Sequence, residues 1–168
     1  MSMDKAADKG NTEPMSSGDL SSYQIGELME QARQLATDFR ISTGKTLPVG
    51  GEIALYDASR LLGLGEPDTP TAGIDLQSSD SSTRFQVKSR ALFSGAKSAP
   101  RLGSINPNGN WTHLLLVLMN ESYQTTHLYT LERKVALSEA NIGGKNAMTV
   151  AKFKVIGDCI WSQECVAP

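Results

Sequence analysis

The sequence is poor in cysteine and in long apolar runs, and these absences limit what the protein can be. Its two cysteines, Cys159 and Cys165, have neither CxxC spacing nor a nearby histidine. This argues against a disulfide framework and against a structural zinc site. The longest apolar run, residues 114–119, has the length of a strand, far below the roughly 20 residues of a membrane span. Lys5 and Lys9 precede no apolar block, so we expect no secretory signal, no membrane association and a cytoplasmic location.

The chain also lacks a large charge of either sign. With 16 basic and 18 acidic residues among 168, the net charge is −2, which excludes nucleic-acid binding through overall charge alone. The distribution is uneven, however, because no acidic residue occurs between Asp80 and Glu121. The basic residues of this stretch are Arg84, Lys88, Arg90, Lys97 and Arg101. The stretch is either a local basic surface or a solvated basic loop.

Composition divides the chain into a tail and one domain. Residues 1–22 have almost no large apolar side chain, which predicts a disordered tail. Residues 23–168 are expected to form a single domain. Apolar residues at helical spacing predict helices over residues 23–42 and 52–62.

Beyond these helices the pattern changes to short alternating segments. The predicted elements are a hairpin of strands 73–77 and 84–88, a long loop over 91–110, strands 112–119 and 125–131, and helices 131–140 and 149–153. Residues 141–145 read as a loop. Residues 156–166 give no clear pattern, although Ile160 and Trp161 are expected to be buried. Hairpins combined with terminal helices indicate an α+β or α/β three-layer domain built on one small sheet.

The hairpin contains the residues with the clearest chemical potential. If its strands pair, Asp75 lies beside Gln86 and Lys88, which share one face of the second strand. Carboxylate and amide oxygens suit Mg²⁺ or Mn²⁺, and a lysine there can stabilise a phosphate or help deprotonate a water molecule. The alternative is an ordinary solvent-exposed strand face. Glu52, in the first turn of the preceding helix, either adds a second carboxylate or only complements the helix dipole.

The order of these motifs resembles the core of the PD-(D/E)xK nuclease superfamily, which includes many restriction endonucleases. The matching strings are GEIA at residues 51–54, GIDL at 73–76 and RFQVKSR at 84–90. The resemblance covers residues 50–119, less than half of the chain. The sequence departs from the usual pattern at Ile74, where proline is common, and at Gln86, where most members have glutamate.

The resemblance implies an α/β, restriction-endonuclease-like three-layer core, with a mixed central sheet of about four strands flanked by helices. It also implies that Mg²⁺ or Mn²⁺ is held by Asp75, by the Gln86 side chain and by the backbone carbonyl of Val87. Lys88 would help to activate the attacking water. Glu52 would bind the metal, directly or through water, or orient Lys88.

The function expected from the resemblance is hydrolysis of DNA by a metal-dependent endonuclease of restriction or phage-defence type. Arg90, Lys97 and Arg101 are expected to contact DNA phosphates. Cutting both strands would require a homodimer or a partner subunit. Two alternatives stay open: a weakly active or inactive nucleic-acid-binding protein of the same fold, and an unrelated interaction protein. Trp111 is expected to anchor a strand rather than to stack on a base.

Overall fold

The computed structural model of the chain describes residues 21–140 and 148–165. Its helices are α1 (Ser22–Thr43), α2 (Gly50–Leu62), α3 (Arg133–Ala140) and α4 (Val150–Ile156), and a 3₁₀ turn covers Gln163–Cys165. Its strands are β1 (Leu76–Gln77), β2 (Arg84–Ala91), β3 (His113–Met119), β4 (Thr125–Glu132) and β5 (Asp158–Ser162). The predicted tail, apart from residues 21 and 22, and the predicted loop 141–145 lie outside the described residues.

The sequence contains residues that begin or terminate the first two helices. Ser21 caps α1 through a capping box with Gln24, so α1 starts where the tail was expected to continue. Gly44 and Gly63 follow α1 and α2 in the left-handed conformation, with φ of 70° and 64°, which glycine adopts without strain. Within the described residues, no helix is long and apolar enough to cross a membrane.

The protein is an α/β protein with a mixed sheet of five strands in the order β1-β2-β3-β4-β5. Strands β2 and β3 are parallel, and the other neighbouring pairs are antiparallel. The predicted hairpin of β1 and β2 is present, with Leu76 opposite Phe85. The expected number of about four strands was one too low, because β5 forms in the segment that gave no clear pattern.

Each face of the sheet is covered by its own apolar cluster. Alternate β3 residues divide between them, so Leu115 and Val117 pack with α1 and α2, whereas Leu114 and Leu116 pack with α3 and α4. The β2–β3 register places Gln86 beside Leu114 and Lys88 beside Leu116. The Gln86 and Lys88 side chains therefore lie on the α3–α4 face, opposite to α1 and α2.

The connection between parallel strands β2 and β3, residues 92–112, crosses the α3–α4 face without forming a helix. We call this segment the crossover loop. Leu102, Ile105 and Trp111 anchor it in the core, each no more than 2% exposed. The expected long loop is present, but its second half is packed against the sheet. The indole of Trp111 donates to the Asn106 carbonyl oxygen at 2.7 Å, in agreement with an anchoring role.

Two local predictions were wrong. Strand β1 contains only residues 76 and 77, so Asp75 precedes the strand instead of lying at its centre. Ile160 is 42% exposed, because β5 is the last strand of the sheet and this part of it has little cover.

A buried ion pair that the sequence patterns did not reveal joins α1 to α2. The Arg33 guanidinium donates to both carboxylate oxygens of Asp57, at 2.6 and 3.2 Å, and to the Tyr123 carbonyl oxygen at 2.9 Å. The Thr125 hydroxyl donates to the same carboxylate at 2.6 Å. Arg33 is 9% exposed and Asp57 is 2% exposed, so both charges depend on each other and on these hydrogen bonds.

We expect Asp57→Ala to lower the free energy of unfolding by about 3–5 kcal/mol, because it leaves the Arg33 charge without its buried partner and with only the exposed Glu30 carboxylate at 3.4 Å. Urea denaturation measures the loss, with Asp68→Ala in an exposed loop as the control. The double variant Arg33→Met/Asp57→Leu should recover much of the stability, since apolar replacements remove both buried charges. A single variant as stable as the wild type would show that the pair contributes little.

Candidate active site

Asp75 is the last residue whose backbone bonds to β2 on this side. Beyond it, the Asp75 side chain occupies the place that a longer β1 would take. The Asp75 backbone N–H donates to the Phe85 carbonyl oxygen at 2.8 Å. Two residues further along β2, the Val87 N–H donates to Oδ2 of the Asp75 carboxylate at 2.7 Å. These two bonds hold a half-buried carboxylate against the open edge of β2, while Oδ1 receives no hydrogen bond from any residue that the structure describes.

The Val87 carbonyl projects to the same edge of β2. In an extended strand, the N–H and C=O of one residue point to the same side, and the Val87 N–H points at Asp75. The backbone oxygen that the resemblance names as a metal ligand therefore lies on the edge that carries the Asp75 carboxylate.

Lys88 is half-buried between two charges of opposite sign. Burial lowers the pKa of its ammonium group below the ordinary value of 10.5, since a desolvated cation is less stable. The Asp75 carboxylate raises this pKa, and the Arg90 guanidinium lowers it further. The structure thus brings Asp75 and Lys88 within electrostatic range and leaves a lysine that releases its proton more easily than a solvated one.

Gln86 is buried, at 4% exposed, so this part of the strand face is not the solvated surface that was the alternative. Its Oε1 accepts a hydrogen bond from the Asn106 N–H at 3.0 Å, which ties β2 to the crossover loop. An amide oxygen has two lone pairs, so one remains for a second interaction. Gln86 therefore has a structural bond regardless of whether it also binds a metal.

Glu52 lies apart from these side chains. It is exposed in the first turn of α2, on the opposite face of the sheet from the Lys88 side chain. The cleft beside Asp75 has a volume of about 470 Å³, and the residue that α2 contributes to its wall is Leu55. We call this cavity the Asp75 cleft.

Glu66, which the sequence analysis did not select, lies in the wall of the Asp75 cleft. Gly65 pairs with Gln77 as an isolated antiparallel bridge, and this bridge fixes the position of the neighbouring Glu66 beside β1. The only sequence signal was a carboxylate in the turn-rich segment GEPDTPTA, which was interpreted as a plain connection.

The oxygen donors at this edge are of the kind that a hard divalent cation prefers, but they are few. No group of three or more His, Cys, Asp or Glu side chains that could hold a metal ion occurs in residues 21–140 and 148–165. Mg²⁺, however, is commonly bound by one or two carboxylates together with water and substrate phosphates. The Asp75 carboxylate with its free Oδ1 and the Val87 carbonyl are compatible with that kind of binding, whereas the buried Gln86 oxygen is bonded to the Asn106 N–H.

The basic residues near the site have two different environments. The Arg90 guanidinium donates to the carbonyl oxygens of Arg101 and Ser89, so this side chain holds the crossover loop. Lys97 and Arg101 are exposed, and neither forms a salt bridge with a residue that the structure describes. Of the three residues expected to contact DNA, Lys97 and Arg101 are thus the ones with free charged ends.

Two further arginines bind the end of the crossover loop. Arg133, at the start of α3, donates to the carbonyl oxygens of Pro107, Gly109 and Trp111. Arg84 donates to the Asn110 carbonyl oxygen at 2.8 Å. Because this part of the loop is not helical, its carbonyl groups need such external donors.

No protein-family model matches the sequence, and a search of the curated proteins finds no similar sequence.

We expect Asp75→Asn to lower the pKa of Lys88 further, because the substitution removes the negative charge that raises this pKa. The asparagine oxygen can still accept the Val87 N–H, so the backbone should stay in place. NMR titration of the lysine side-chain carbon resonances measures the midpoint, and Asp80→Asn in the exposed hairpin turn is the control. An unchanged midpoint in Asp75→Asn would mean that the two groups do not interact.

We expect Arg133→Ala to lower the free energy of unfolding by about 3 kcal/mol, because several loop carbonyl groups lose a charged donor. The matched control is Lys134→Ala, which changes the neighbouring exposed cation. Urea denaturation gives the stability, and amide hydrogen exchange of residues 105–111 shows whether the loop opens first. Equal stability of the two variants would contradict a role of Arg133 in holding the loop.

Proposed function

We propose that the protein is a metal-dependent endonuclease that hydrolyses phosphodiester bonds of DNA, of the PD-(D/E)xK type, in restriction or phage defence. The observation that carries the proposal is the edge of β2, where the Asp75 carboxylate accepts the Val87 N–H and interacts with the half-buried Lys88. A carboxylate beside an open cleft, within electrostatic range of a half-buried lysine whose pKa is lowered, suits acid–base chemistry on a phosphate.

Different residues would have different roles in the hydrolysis. Bound Mg²⁺ or Mn²⁺ would polarise the phosphodiester and its neighbouring water. Asp75, the Val87 carbonyl and Gln86 would hold the ion. Lys88 would help to activate the attacking water, whose oxygen forms a new bond to phosphorus while its proton passes to solvent and the bond to the leaving oxygen breaks. The leaving oxygen then takes up a proton from solvent.

The surroundings of the site fit a polyanionic substrate. Lys97 and Arg101 extend from the crossover loop with free charged ends and would contact phosphates of the DNA. Glu66 is better placed than Glu52 to act as a second carboxylate, because it lies in the wall of the Asp75 cleft. Cutting both strands needs two sites, which a homodimer or a partner subunit would supply.

One observation favours a second candidate, a nucleic-acid-binding protein of the same fold without activity. Position 86 provides an amide instead of a carboxylate, and its oxygen already accepts the Asn106 N–H. A site with less negative charge attracts a divalent cation more weakly.

Cleavage of supercoiled plasmid in Mg²⁺ or Mn²⁺ tests the proposal. We expect Asp75→Asn and Lys88→Met to lose at least about a hundredfold in rate, since each loses a group that acts on the reacting water or its metal. Gln86→Glu should keep or raise activity, because either side chain supplies an oxygen and glutamate adds charge, whereas Gln86→Leu should lose it. Asp80→Asn, in the hairpin turn, is the matched control.

Thermal melting of each variant separates loss of chemistry from loss of fold, which matters most for the buried Gln86. Variants of Asp75 and Lys88 that cut at the wild-type rate would refute the assigned residues. A wild-type protein that binds duplex DNA but cuts none under any metal would support the second candidate. A protein that does neither would leave an interaction protein as the remaining interpretation.

A further inference from the structure

The buried ion pair between α1 and α2 lies in the wall of a second cleft. Its volume is about 570 Å³, within the range that holds a small organic molecule. Trp161, which also lines it, packs with the apolar cluster under α1 and α2. The cleft therefore lies on the opposite face of the sheet from the Lys88 side chain and is separate from the candidate active site. We call it the ion-pair cleft.

The Arg33 guanidinium has two N–H groups that form no hydrogen bond with any residue that the structure describes. Arginine has five N–H groups in a fixed planar arrangement. Nη1 donates to Asp57 and to the Tyr123 carbonyl oxygen, whereas Nη2 donates only to Asp57. Because Asp57 occupies the side between Nη1 and Nη2, the second N–H of Nη2 and the N–H of Nε are left together on the next edge. Two parallel N–H groups of this kind bind one carboxylate or phosphate.

This free edge of Arg33 faces the open side of the cleft. The Glu30 carboxylate, which also belongs to the wall, lies 3.4 Å from Nε, and the Glu30 side chain is 72% exposed. The Arg33 side chain itself is only 11% exposed. Donors on a buried cation are unfavourable without acceptors, so an acceptor that enters from the cleft would stabilise the Arg33 side chain.

The charges in the wall can accommodate one additional negative charge. Asp57 is paired with Arg33 and accepts the Thr125 hydroxyl, so its charge is compensated. Arg60 lines the cleft, is exposed, and forms no salt bridge with another residue in the described part of the chain. Glu30 is held by one contact at the surface, where ion pairs contribute little. A monoanion that displaces it would bind between Arg33 and Arg60.

The remaining wall suits a flat apolar group. Trp161 and Leu61 both line the cleft, and both are only partly buried. An indole presents a large apolar surface that prefers to contact another ring or a planar group.

We propose that the ion-pair cleft binds a small organic acid. Its carboxylate would accept from Nε and Nη2 of Arg33, and its flat apolar part would lie against Trp161. A carboxylate matches the site better than a phosphate monoester, because the monoester carries about two negative charges and has no apolar part next to them. The proposal does not depend on the proposed nuclease function.

Benzoate tests the site, because it joins a carboxylate to a flat ring, and benzamide is the neutral control of the same shape. NMR titration follows the Nε–H signal of Arg33 and the two indole N–H signals. We expect benzoate to shift the Arg33 and Trp161 signals with a Kd of about 1 mM, as for a ligand of this size. The Trp111 signal should not move, because its indole is buried and bonded to the Asn106 carbonyl oxygen. Acetate, which has no ring, should bind at least about tenfold more weakly.

Two exposed charges in the wall can be changed without touching the buried pair. Glu30→Gln removes the carboxylate that competes for Arg33, so we expect the benzoate affinity to rise about threefold. Arg60→Gln removes a nearby cation and should lower the affinity by about the same factor. The matched controls are Glu27→Gln on α1 and Lys45→Gln just after it, both exposed and outside the wall of the cleft.

Several results would overturn the proposal. An Arg33 signal that does not move at saturating benzoate would refute the site, and equal binding of benzamide would refute recognition of a carboxylate. Unchanged benzoate affinity in Glu30→Gln would show that the anion does not bind at the free edge of Arg33. Acetate that binds as tightly as benzoate would refute the contact with Trp161. Plasmid cleavage decides the proposed function separately, since benzoate binding requires neither metal nor DNA.

Discussion

The connection between β2 and β3 crosses the sheet without a helix, and much of the structure follows from this. Parallel neighbours require a long crossover, and a helical crossover would satisfy its own backbone hydrogen bonds. The extended crossover loop cannot do so, and its carbonyl groups are instead bound by Arg84, Arg90 and Arg133. Its apolar side chains, Leu102 and Ile105, cover the sheet where a helix would otherwise lie.

The same loop determines the surroundings of the candidate active site. It lies over the face that carries Gln86 and Lys88, and the Asn106 N–H bonds to Gln86. It also passes so close to the residues before β1 that a Cβ atom at Gly73, whose φ is +82°, would lie 2.9 Å from the Gly109 Cα. Only glycine fits there without displacing the loop, so the position of Asp75, two residues later, is coupled to the position of the loop.

The sequence was a good guide to local structure because local signals determine it. Apolar spacing predicted α1 and α2 to within two residues, and alternation predicted the hairpin. The order Asp75, Gln86, Lys88 led to the correct expectation that Gln86 and Lys88 share one strand face, since alternation in a strand is a local rule.

What the sequence did not reveal depends on contacts between distant residues. Arg33 and Asp57 carry no sequence signal for pairing, because they lie on different helices and only the packing of α1 on α2 brings them together. The sequence suggested that Arg90 is a free cation. Its acceptor, the Arg101 carbonyl oxygen, comes close only because of the path of the crossover loop. No periodic sequence pattern pointed to Glu66. Its position depends on the neighbouring Gly65, which forms an isolated bridge with Gln77.

The short length of β1 determines the surroundings of the β2 edge. Strand β2 runs for eight residues, whereas β1 pairs with only its first part, so the edge from Val87 to Ala91 has no neighbouring strand. An unpaired edge exposes polar backbone groups that need partners. Asp75 satisfies the first of them at Val87, and beyond it the start of α2 lines the same cavity as residues 89–91. The edge therefore carries the Asp75 carboxylate at one end and the start of α2 at the other, while the Lys88 side chain lies on the opposite face of the sheet from α2.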